Sequence, residues 1–495
     1  MASAKSSTLN TFLLGFSLLL IPFDFIAYNI FIYPLELSLN IPFFKLPWVL
    51  NGLLISFLFF SGLFFQATSY KRAKPLLIWG LLIYALSALF VLGRIHFTLL
   101  IFARLFQGLS FAMILPASLT LLKVSKPSKS YYTWGAILVF GLFVSPWITS
   151  WILKNFPIHW LFYFLGFYAL ALALLDGIFL EFVKSAGRKL DPKGFLLIGS
   201  SMAILILSLS IGLYWGWGLS SLFFFFSFLL FNLAFFVEKS ESNPLFEMEL
   251  FKSRSFLTCF IPLLFLQFIL WPLLFFVPIY LQYLLGVPLF SMGLWLLTFT
   301  GAVVVGFIVS SYTYRKGWIR FSIGISLSLL TLSLFLLSFV TETGHRSYLL
   351  SILALLGLGW GFLFLNIYSG GVGFFPKKNL IRGFAFYEIF PFLFGSLGLC
   401  IGFNVFVKKF TSFFYNALSD ADILFSQSIN THFFEILNRP DLYSDAIRGA
   451  FTQAFLEGFH SLTTLLSWIG FTCLIFSLIY IPSKTREVLS EGSND

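Results

Sequence analysis

Acidic residues are rare in the long apolar stretches of this sequence, and Asp24 lies near the middle of one of them, in Ile21-Pro22-Phe23-Asp24-Phe25-Ile26. A charged side chain at the centre of a membrane helix costs roughly 2.5–3.5 kcal/mol, so its presence there suggests a function. A carboxyl group that is desolvated in one state and wetted in another can take up and release a proton. Asp24 is therefore a candidate for proton coupling. The alternative is a structural carboxyl that is hydrogen-bonded to a neighbouring helix.

A second intramembrane charge, Arg104, belongs to the segment Arg104-Leu105-Phe106-Gln107-Gly108. Arg104, Gln107 and Gly108 are spaced i, i+3, i+4 and share one face of a helix. Because a guanidinium stays charged, it needs a carboxylate, carbonyl groups or water close by, and Asp24 is a suitable partner. The alternative is an arginine near the helix start whose head reaches out to the membrane surface.

A second carboxyl, Glu388, lies in another apolar stretch, three residues before Pro391. A proline inside a helix can kink it and turn backbone carbonyls toward a cavity. This pattern predicts a second proton-coupling carboxyl, one that faces a cavity. The alternative places Glu388 nearer the cytoplasmic interface, with its head extended toward water.

A stripe of small residues marks another apolar stretch, where Gly141, Ser145 and Thr149 recur at four-residue spacing beside Pro146. Such a stripe permits close approach of a second helix. Asp176 falls near the end of a later stretch, where we expect a solvated edge residue.

The composition shows which solvent the chain is built for. Hydrophobic residues make up 59% of the 495 residues and charged residues 10%, with a mean hydropathy of +0.94. Soluble proteins carry about 25% charged residues, so much of this surface must face lipid. The net charge of +11 reflects basic loops and does not indicate binding to nucleic acid.

The apolar stretches are continuous and long enough to cross a bilayer as helices, which takes about 20 residues each. They predict an all-α membrane protein with about fourteen spans: Thr11–Tyr33, Trp48–Ala67, Leu76–Gly93, Thr98–Leu122, Tyr132–Leu153, Trp160–Glu181, Phe195–Tyr214, Ser221–Val237, Leu257–Val277, Leu289–Tyr312, Phe321–Val340, Tyr348–Gly370, Phe384–Val407 and Gly458–Ile481.

Loop lengths divide the chain into units. We predict a six-helix bundle over residues 11–181, linkers with two inserted helices over 182–256 and a second six-helix bundle over 257–482. The second bundle includes a loop at 408–457, whose composition would suit a soluble helical hairpin or cap, and a tail follows at 483–495. Lys and Arg concentrate in every second loop, so the positive-inside rule predicts an inner-membrane protein with both termini cytoplasmic and the 408–457 loop outside.

Several kinds of chemistry find no support in the sequence. No phosphate-binding loop of Walker type is present, and the three cysteines and five histidines show no metal-ligand spacing. No nucleophile–base pair is evident. We therefore expect neither an enzyme, nor a metal site, nor a cofactor.

Several motifs point to one family. Residues 104–108 match the pattern R-x-x-Q-G, and Asp24 and Asn29 match the acid and amide of L-D-x-T-I-V-N. Residues 280–286 match the pattern Y-L-Q-x-x-x-G, and residues 291–294 contain the Gly-Leu pair that follows it in the same motif. The sequence thereby resembles the major facilitator superfamily in its fourteen-helix drug:proton antiporter branch, the EmrB/QacA type.

The resemblance implies a substrate cavity between two six-helix bundles. It implies that Asp24 is protonated during transport with Arg104 as its charge partner, while the coupling face and motif residues are Asn29, Gln107, Gly108, Gly141, Ser145 and Pro146. Three segments depart from the family pattern. After helix 2, Gln66 replaces an aspartate and Ser69 replaces a glycine. Trp147 follows Pro146 in a segment without the usual glycines, and Pro391 stands where the branch has an arginine.

We therefore expect a proton-coupled secondary transporter that exports amphipathic or drug-like compounds by alternating access. The expected partners are protons, the lipid bilayer and, in a double-membrane cell, a periplasmic adaptor with an outer-membrane channel. One alternative is a transporter for a siderophore, lipid precursor or metabolite. Another is a respiratory antiporter-like subunit, which should carry more intramembrane Lys, Glu and His than this chain does.

Overall fold

The computed structural model describes residues 2–39, 41–68, 72–91, 96–125, 130–180, 191–215, 217–240, 244–245, 251, 254–316, 318–341, 345–372, 380–420 and 444–480. These residues form fourteen α-helices and one short 3-10 turn, Phe43–Lys45. The helices are α1 Ala2–Leu39, α2 Pro47–Ala67, α3 Ala73–Phe90, α4 Phe97–Ser125, α5 Ser130–Asn155, α6 His159–Phe179, α7 Pro192–Trp215, α8 Trp217–Ser240, α9 Arg254–Tyr283, α10 Leu289–Arg315, α11 Ile319–Leu337, α12 Arg346–Val372, α13 Leu380–Asp420 and α14 Asp445–Tyr480.

The helices have the length and composition of membrane spans. Thirteen of those described are long and apolar enough to cross a bilayer, and the apolar stretch of α11, Phe321–Leu337, is shorter. A helix satisfies its backbone hydrogen bonds internally, which is what a hydrocarbon environment demands. The predicted fold class of an all-α membrane protein with fourteen helices is confirmed.

Helix contacts group α1–α6 into one bundle and α9–α14 into another, with α7 and α8 packed as a pair. Between the bundles, α5 packs against α10 and α2 packs against α13. The N-terminal and C-terminal bundles therefore meet along two seams, and a cavity lies between them.

The same close helix crossing occurs in both bundles. A Cβ at Gly108 of α4 would collide with the backbone carbonyl of Leu53 in α2, and a Cβ at Gly361 of α12 would collide with that of Val303 in α10. Helices α4 and α12 are the fourth of each bundle, and α2 and α10 are the second. The second bundle therefore repeats a helix crossing of the first, which indicates an internal structural repeat.

One face of the molecule collects the end of α2, the start of α3, the end of α6 and the start of α7. There Lys74 Nζ donates to the Leu180 carbonyl at 2.5 Å, and the Asp191 N–H donates to Gln66 Oε1 at 2.8 Å. Because neighbouring helices alternate in direction, α1 also begins and α14 also ends there. We call it the terminal face, and the other side the opposite face.

The predicted loop over 408–457 is wrong at both ends, because α13 continues to Asp420 and α14 already begins at Asp445. Phe410 and Phe414 continue a stacked aromatic row along α13, and both rings contact Phe451 of α14. This packing stabilises a helical extension at the opposite face. The part of the predicted loop at 421–443 lies outside the described residues.

Candidate functional site

A buried ion pair links α1 to α4 in the N-terminal bundle. Arg104 Nη1 lies 2.8 Å from Asp24 Oδ2 and 2.9 Å from Oδ1, and both side chains are fully inaccessible to solvent. The predicted contact between these two residues is confirmed. The alternative in which Arg104 reaches the membrane surface is wrong, because the guanidinium is held by partners inside the bundle.

Three further groups hold Arg104 in place. Its Nε donates to the Val49 carbonyl at 2.8 Å, its Nη1 donates to Gln107 Oε1 at 2.7 Å, and its Cζ lies 3.7 Å from the centre of the Tyr28 ring. These contacts do not involve Asp24. These three contacts hold the guanidinium in position independently of the Asp24 carboxylate.

A tyrosine completes the coordination of the Asp24 carboxylate. The Tyr84 hydroxyl of α3 donates to Asp24 Oδ1 at 2.6 Å, and its ring is stacked on Phe111 of α4. Neither tyrosine of this network was predicted from the sequence. Tyr28 could have been found, because it lies one helical turn after Asp24 on α1. Tyr84 carries no comparable signal, since only the fold brings α3 beside α1.

The small residues of α5 pack against the same part of α1. A Cβ at Gly141 would collide with Pro22, and the Ser145 hydroxyl donates to the Gly141 carbonyl within its own helix. Ser145 and Thr149 are buried. The predicted close approach of a helix to this stripe is present, and α5 supports the segment of α1 that carries Asp24.

A central cavity lies between the two bundles and holds about 870 Å³ of space between atoms, including the part open to solvent. It is mainly apolar, with polar groups from Asn29 and Gln267, and the charged residue among its described lining is Glu388. The full lining is Ile21, Pro22, Phe25, Asn29, Leu50, Leu115, Trp134, Leu138, Leu142, Gln267, Leu270, Trp271, Leu274, Trp360, Phe364, Glu388, Pro391 and Phe392. A mostly apolar pocket lined by several aromatic side chains suits an amphipathic organic molecule.

Glu388 lines this cavity from α13 and is 2% exposed. Its Oε1 has no hydrogen-bond partner among the described residues. The predicted position facing a cavity is confirmed, and the alternative in which the side chain extends to the interface is wrong. Asp24 lies behind the cavity wall: Phe25 and Asn29 line the cavity, while Asp24 is enclosed by the ion-pair network.

Asp176 corrects another expectation. It is fully buried, and its Oδ2 accepts a hydrogen bond from Ser17 of α1 at 2.7 Å. Lys74 is close by, because its Nζ donates to the Gly177 carbonyl at 2.9 Å. The prediction of a solvated edge residue is wrong, since the start of α1 covers this end of α6.

The described residues contain no group of three or more His, Cys, Asp or Glu side chains that could hold a metal ion. The site places carboxyl, guanidinium and phenol groups beside a cavity between two helical bundles. The sequence model of the Major Facilitator Superfamily matches residues 14–399. The chain belongs to the Major Facilitator Superfamily.

A curated relative supports the same assignment. Multidrug resistance protein 3 of Bacillus subtilis (strain 168) is 26% identical to this chain over 391 residues. The alignment covers 77% of this chain and 75% of the relative. As a member of the superfamily, the protein is a multi-pass membrane transporter.

Solved structures of other transporters share the fold. A bacterial homologue of the human lysosomal transporter Spinster, in an inward-facing and unoccupied conformation, aligns with a TM-score of 0.64 at 12% identity, covering 97% of this chain and 99% of that one. A mutant of the nucleoside transporter NupG aligns with a TM-score of 0.61 at 12% identity, covering 96% of this chain and 100% of that one. At these identities, the similarity concerns the fold.

Proposed function

We propose that this Major Facilitator Superfamily transporter is a proton-coupled exporter of amphipathic, drug-like compounds that works by alternating access, and that it belongs to the fourteen-helix EmrB/QacA branch. One observation carries the proposal: a fully buried Asp24–Arg104 pair lies directly behind the wall of an apolar cavity that both bundles line. The name of the Bacillus relative, a multidrug resistance protein, supports the substrate class.

In this mechanism Asp24 is the protonation site. Uptake of a proton neutralises the Asp24 carboxylate and so abolishes the ion pair. Arg104 keeps its contacts with Val49, Gln107 and Tyr28. Asp24 and the cavity residue Phe25 are adjacent on α1. A change in how α1 packs against α4 would therefore move Phe25 in the cavity wall. In this way protonation of Asp24 would determine to which side of the membrane the cavity opens.

In this mechanism the substrate contacts the aromatic residues of the cavity and Glu388. Trp134, Trp271 and Trp360 offer faces for burial and stacking, which bind apolar compounds without directional bonds. Among the described lining residues, Glu388 supplies the acidic group. It is the second carboxyl of the proposed mechanism, and it faces the substrate where Asp24 does not.

We propose that the terminal face is cytoplasmic, because the Lys- and Arg-rich segments of the sequence follow the even-numbered helices, which end at this face. We also propose that the membrane is the cell inner membrane. The extension of α13 and α14 would then project outside. In a double-membrane cell we propose this extension as the docking surface for a periplasmic adaptor that leads to an outer-membrane channel. Removal of residues 417–448 should abolish adaptor recovery in pull-downs, and unchanged recovery would exclude this dock.

The proposed function is tested by flux in proteoliposomes under an imposed pH gradient, with a panel of lipophilic cations and weak acids. Wild-type protein should accumulate at least one class, and Asp24→Asn should bind the same compounds but lose gradient-driven accumulation. Asp176→Asn is the matched control: it alters another buried carboxyl of the same bundle and should retain accumulation. Equal loss in both variants, or full accumulation in Asp24→Asn, would contradict the proposal.

A further inference from the structure

The inserted helix α7 is attached to α2 of the N-terminal bundle along most of its length. Toward the opposite face, Asn51 Nδ2 donates to Ser210 Oγ at 2.9 Å. At the terminal face, Gln66 Oε1 accepts the hydrogen bond from the Asp191 backbone described above. These two contacts are fifteen residues apart on α2, or about 22 Å at 1.5 Å per residue.

The middle of this contact is closely packed. A Cβ at Gly199 of α7 would collide with the backbone carbonyl of Phe59, so the two helices cross with their backbones in contact. The Phe59 ring also packs edge-on against Phe195, with 5.5 Å between ring centres. Interfaces of this density resist sliding, because packed surfaces shift between discrete arrangements and do not deform continuously.

The second inserted helix is tied to the same unit. Ser208 of α7 and Ser220 of α8 each donate to the other's carbonyl, at 2.8 and 2.7 Å. After α8 ends, Leu245 packs where a Cβ at Gly62 of α2 would lie. The Leu245 N–H donates to Glu238 Oε2 of α8 at 2.6 Å. Both ends of the inserted pair thus return to α2.

Contact between α7 and the C-terminal bundle is much more local. Among the hydrogen bonds of the described residues, α7 reaches α13 at Cys400, whose Sγ lies 3.6 Å from Ser210 Oγ. The same thiol lies 3.3 Å from Asn51 Nδ2, and Ser396 Oγ donates to Asn51 Oδ1 at 3.2 Å. Asn51, Ser396 and Cys400, which are buried, and the half-buried Ser210 therefore form a polar cluster where α2, α7 and α13 meet.

We propose that α7 and α8 move as one rigid body with the N-terminal bundle, and that this unit slides across α13 at the polar cluster during the transport cycle. The inference rests on the proposed function, because alternating access requires α2 and α13 to change their relative tilt. Helices α7 and α8 then belong to the N-terminal rigid body and do not act as a flexible linker between the bundles.

The polar cluster is suited to such a motion. Ser396 and Cys400 are one helical turn apart on α13, so Asn51 can lose one of them and keep the other as the helices shift. Ser210 moves with Asn51 and retains its bond in every state. A buried amide left without any partner would cost about 1–3 kcal/mol, and α7 prevents that cost.

The inference is tested with three thiol pairs in a background where Cys259 and Cys473 are alanine. Ser210→Cys with native Cys400 joins α7 to the C-terminal bundle. Asn51→Cys and Ser210→Cys with Cys400→Ser joins α7 to the N-terminal bundle. Asn51→Cys with native Cys400 joins the two bundles directly. Each pair is bridged by oxidation, or by Hg²⁺ where the thiols do not oxidise, and bridging is quantified by mass spectrometry.

Gradient-driven flux of each bridged protein is compared with that of its own reduced form. We expect the bridges from α7 to α13 and from α2 to α13 to stop transport reversibly, and the bridge from α2 to α7 to leave transport unchanged. Loss of transport on bridging α2 to α7 would overturn the inference, as would transport that survives bridging of α7 to α13. Survival of transport with α2 bridged to α13 would instead contradict alternating access itself.

Discussion

The two bundles repeat the same packing but differ in the charge they carry. In α4, Arg104 precedes the crossing residue Gly108 by four positions, and in α12 the corresponding residue before Gly361 is Gly357. Arg104 reaches across to Asp24, whereas a Cβ at Gly357 would collide with the backbone of Phe299 in α10. One half thus uses this position for an ion pair, and the other uses it for helix contact.

The carboxyl groups follow the same division. Asp24 of the N-terminal half is paired, hydrogen-bonded and separated from the cavity, while Glu388 of the C-terminal half faces the cavity and, among the described residues, keeps one oxygen without a hydrogen bond. We propose that the N-terminal half binds and releases the proton, at Asp24, and that the C-terminal half presents an acidic group, Glu388, to the substrate.

Removal of Arg104 should be the most destabilising change. Arg104→Ala leaves Asp24 buried without its charge partner, and breaking a buried pair from one side costs about 3–5 kcal/mol. We expect a clear fall in the thermal unfolding midpoint of the purified protein. The double variant Asp24→Asn with Arg104→Gln should have an unfolding midpoint much closer to wild type, because no unpaired buried charge remains. An unfolding midpoint equal to wild type in Arg104→Ala would mean that the pair contributes nothing.

The hydroxyl of Tyr84 should matter more than a matched hydroxyl in the other half. Tyr84→Phe removes a hydrogen bond to a charged group, worth about 1.5–3 kcal/mol, and should also move the pH profile of transport. Tyr280→Phe removes a bond to the Thr341 carbonyl, a neutral acceptor, worth roughly 1 kcal/mol. The pH profile of Tyr280→Phe should match wild type. An equal shift in both variants would count against a special role for the Asp24 network.

The repeated crossings should respond alike to an added methyl group. Gly108→Ala and Gly361→Ala each force a side chain against a backbone carbonyl, and overpacking of this kind costs about 1–3 kcal/mol. Gly218→Ala is the control, because nothing lies within 4 Å of a Cβ there. Thermal unfolding measures all three. A large loss in only one bundle would show that the packing repeat is not equivalent.

Glu388 should affect which compounds bind more than whether the protein folds. Glu388→Gln should weaken binding of tetraphenylphosphonium about tenfold, or ~1.4 kcal/mol, because the cavity loses its acidic group. Binding of a neutral compound of similar size should not change. Quenching of tryptophan fluorescence reports both, since three tryptophans line the cavity. Equal weakening for both compounds would assign Glu388 a structural role.

Much of the fold follows from the sequence because lipid imposes a simple rule. Long apolar stretches must be helices, and their order with one inserted pair predicts the two bundles. The ends of α13 and α14 could be predicted only in part. The composition of residues 408–457 suits a soluble helical hairpin or cap, but it does not show that α13 and α14 themselves continue into this segment. The aromatic contacts of Phe410 and Phe414 with Phe451 show that they do.

The site was predictable where a charge interrupts an apolar stretch, as at Asp24, Arg104 and Glu388. Residues whose function depends on tertiary contacts were not. Tyr84 resembles the many other aromatic residues until α3 is placed beside α1. Asp176 looks like a helix-end residue until Ser17 covers it. Burial of these two side chains is decided by neighbours far away in the chain.

Counting the protons released when a transported compound binds shows whether the N-terminal half carries the proton. Purified protein in weakly buffered detergent solution is mixed with the best transported compound of the panel, and a pH indicator records the release. Wild type and Glu388→Gln at saturating compound should both release protons, and Asp24→Asn should release none. Proton release that persists in Asp24→Asn and disappears in Glu388→Gln would contradict the account.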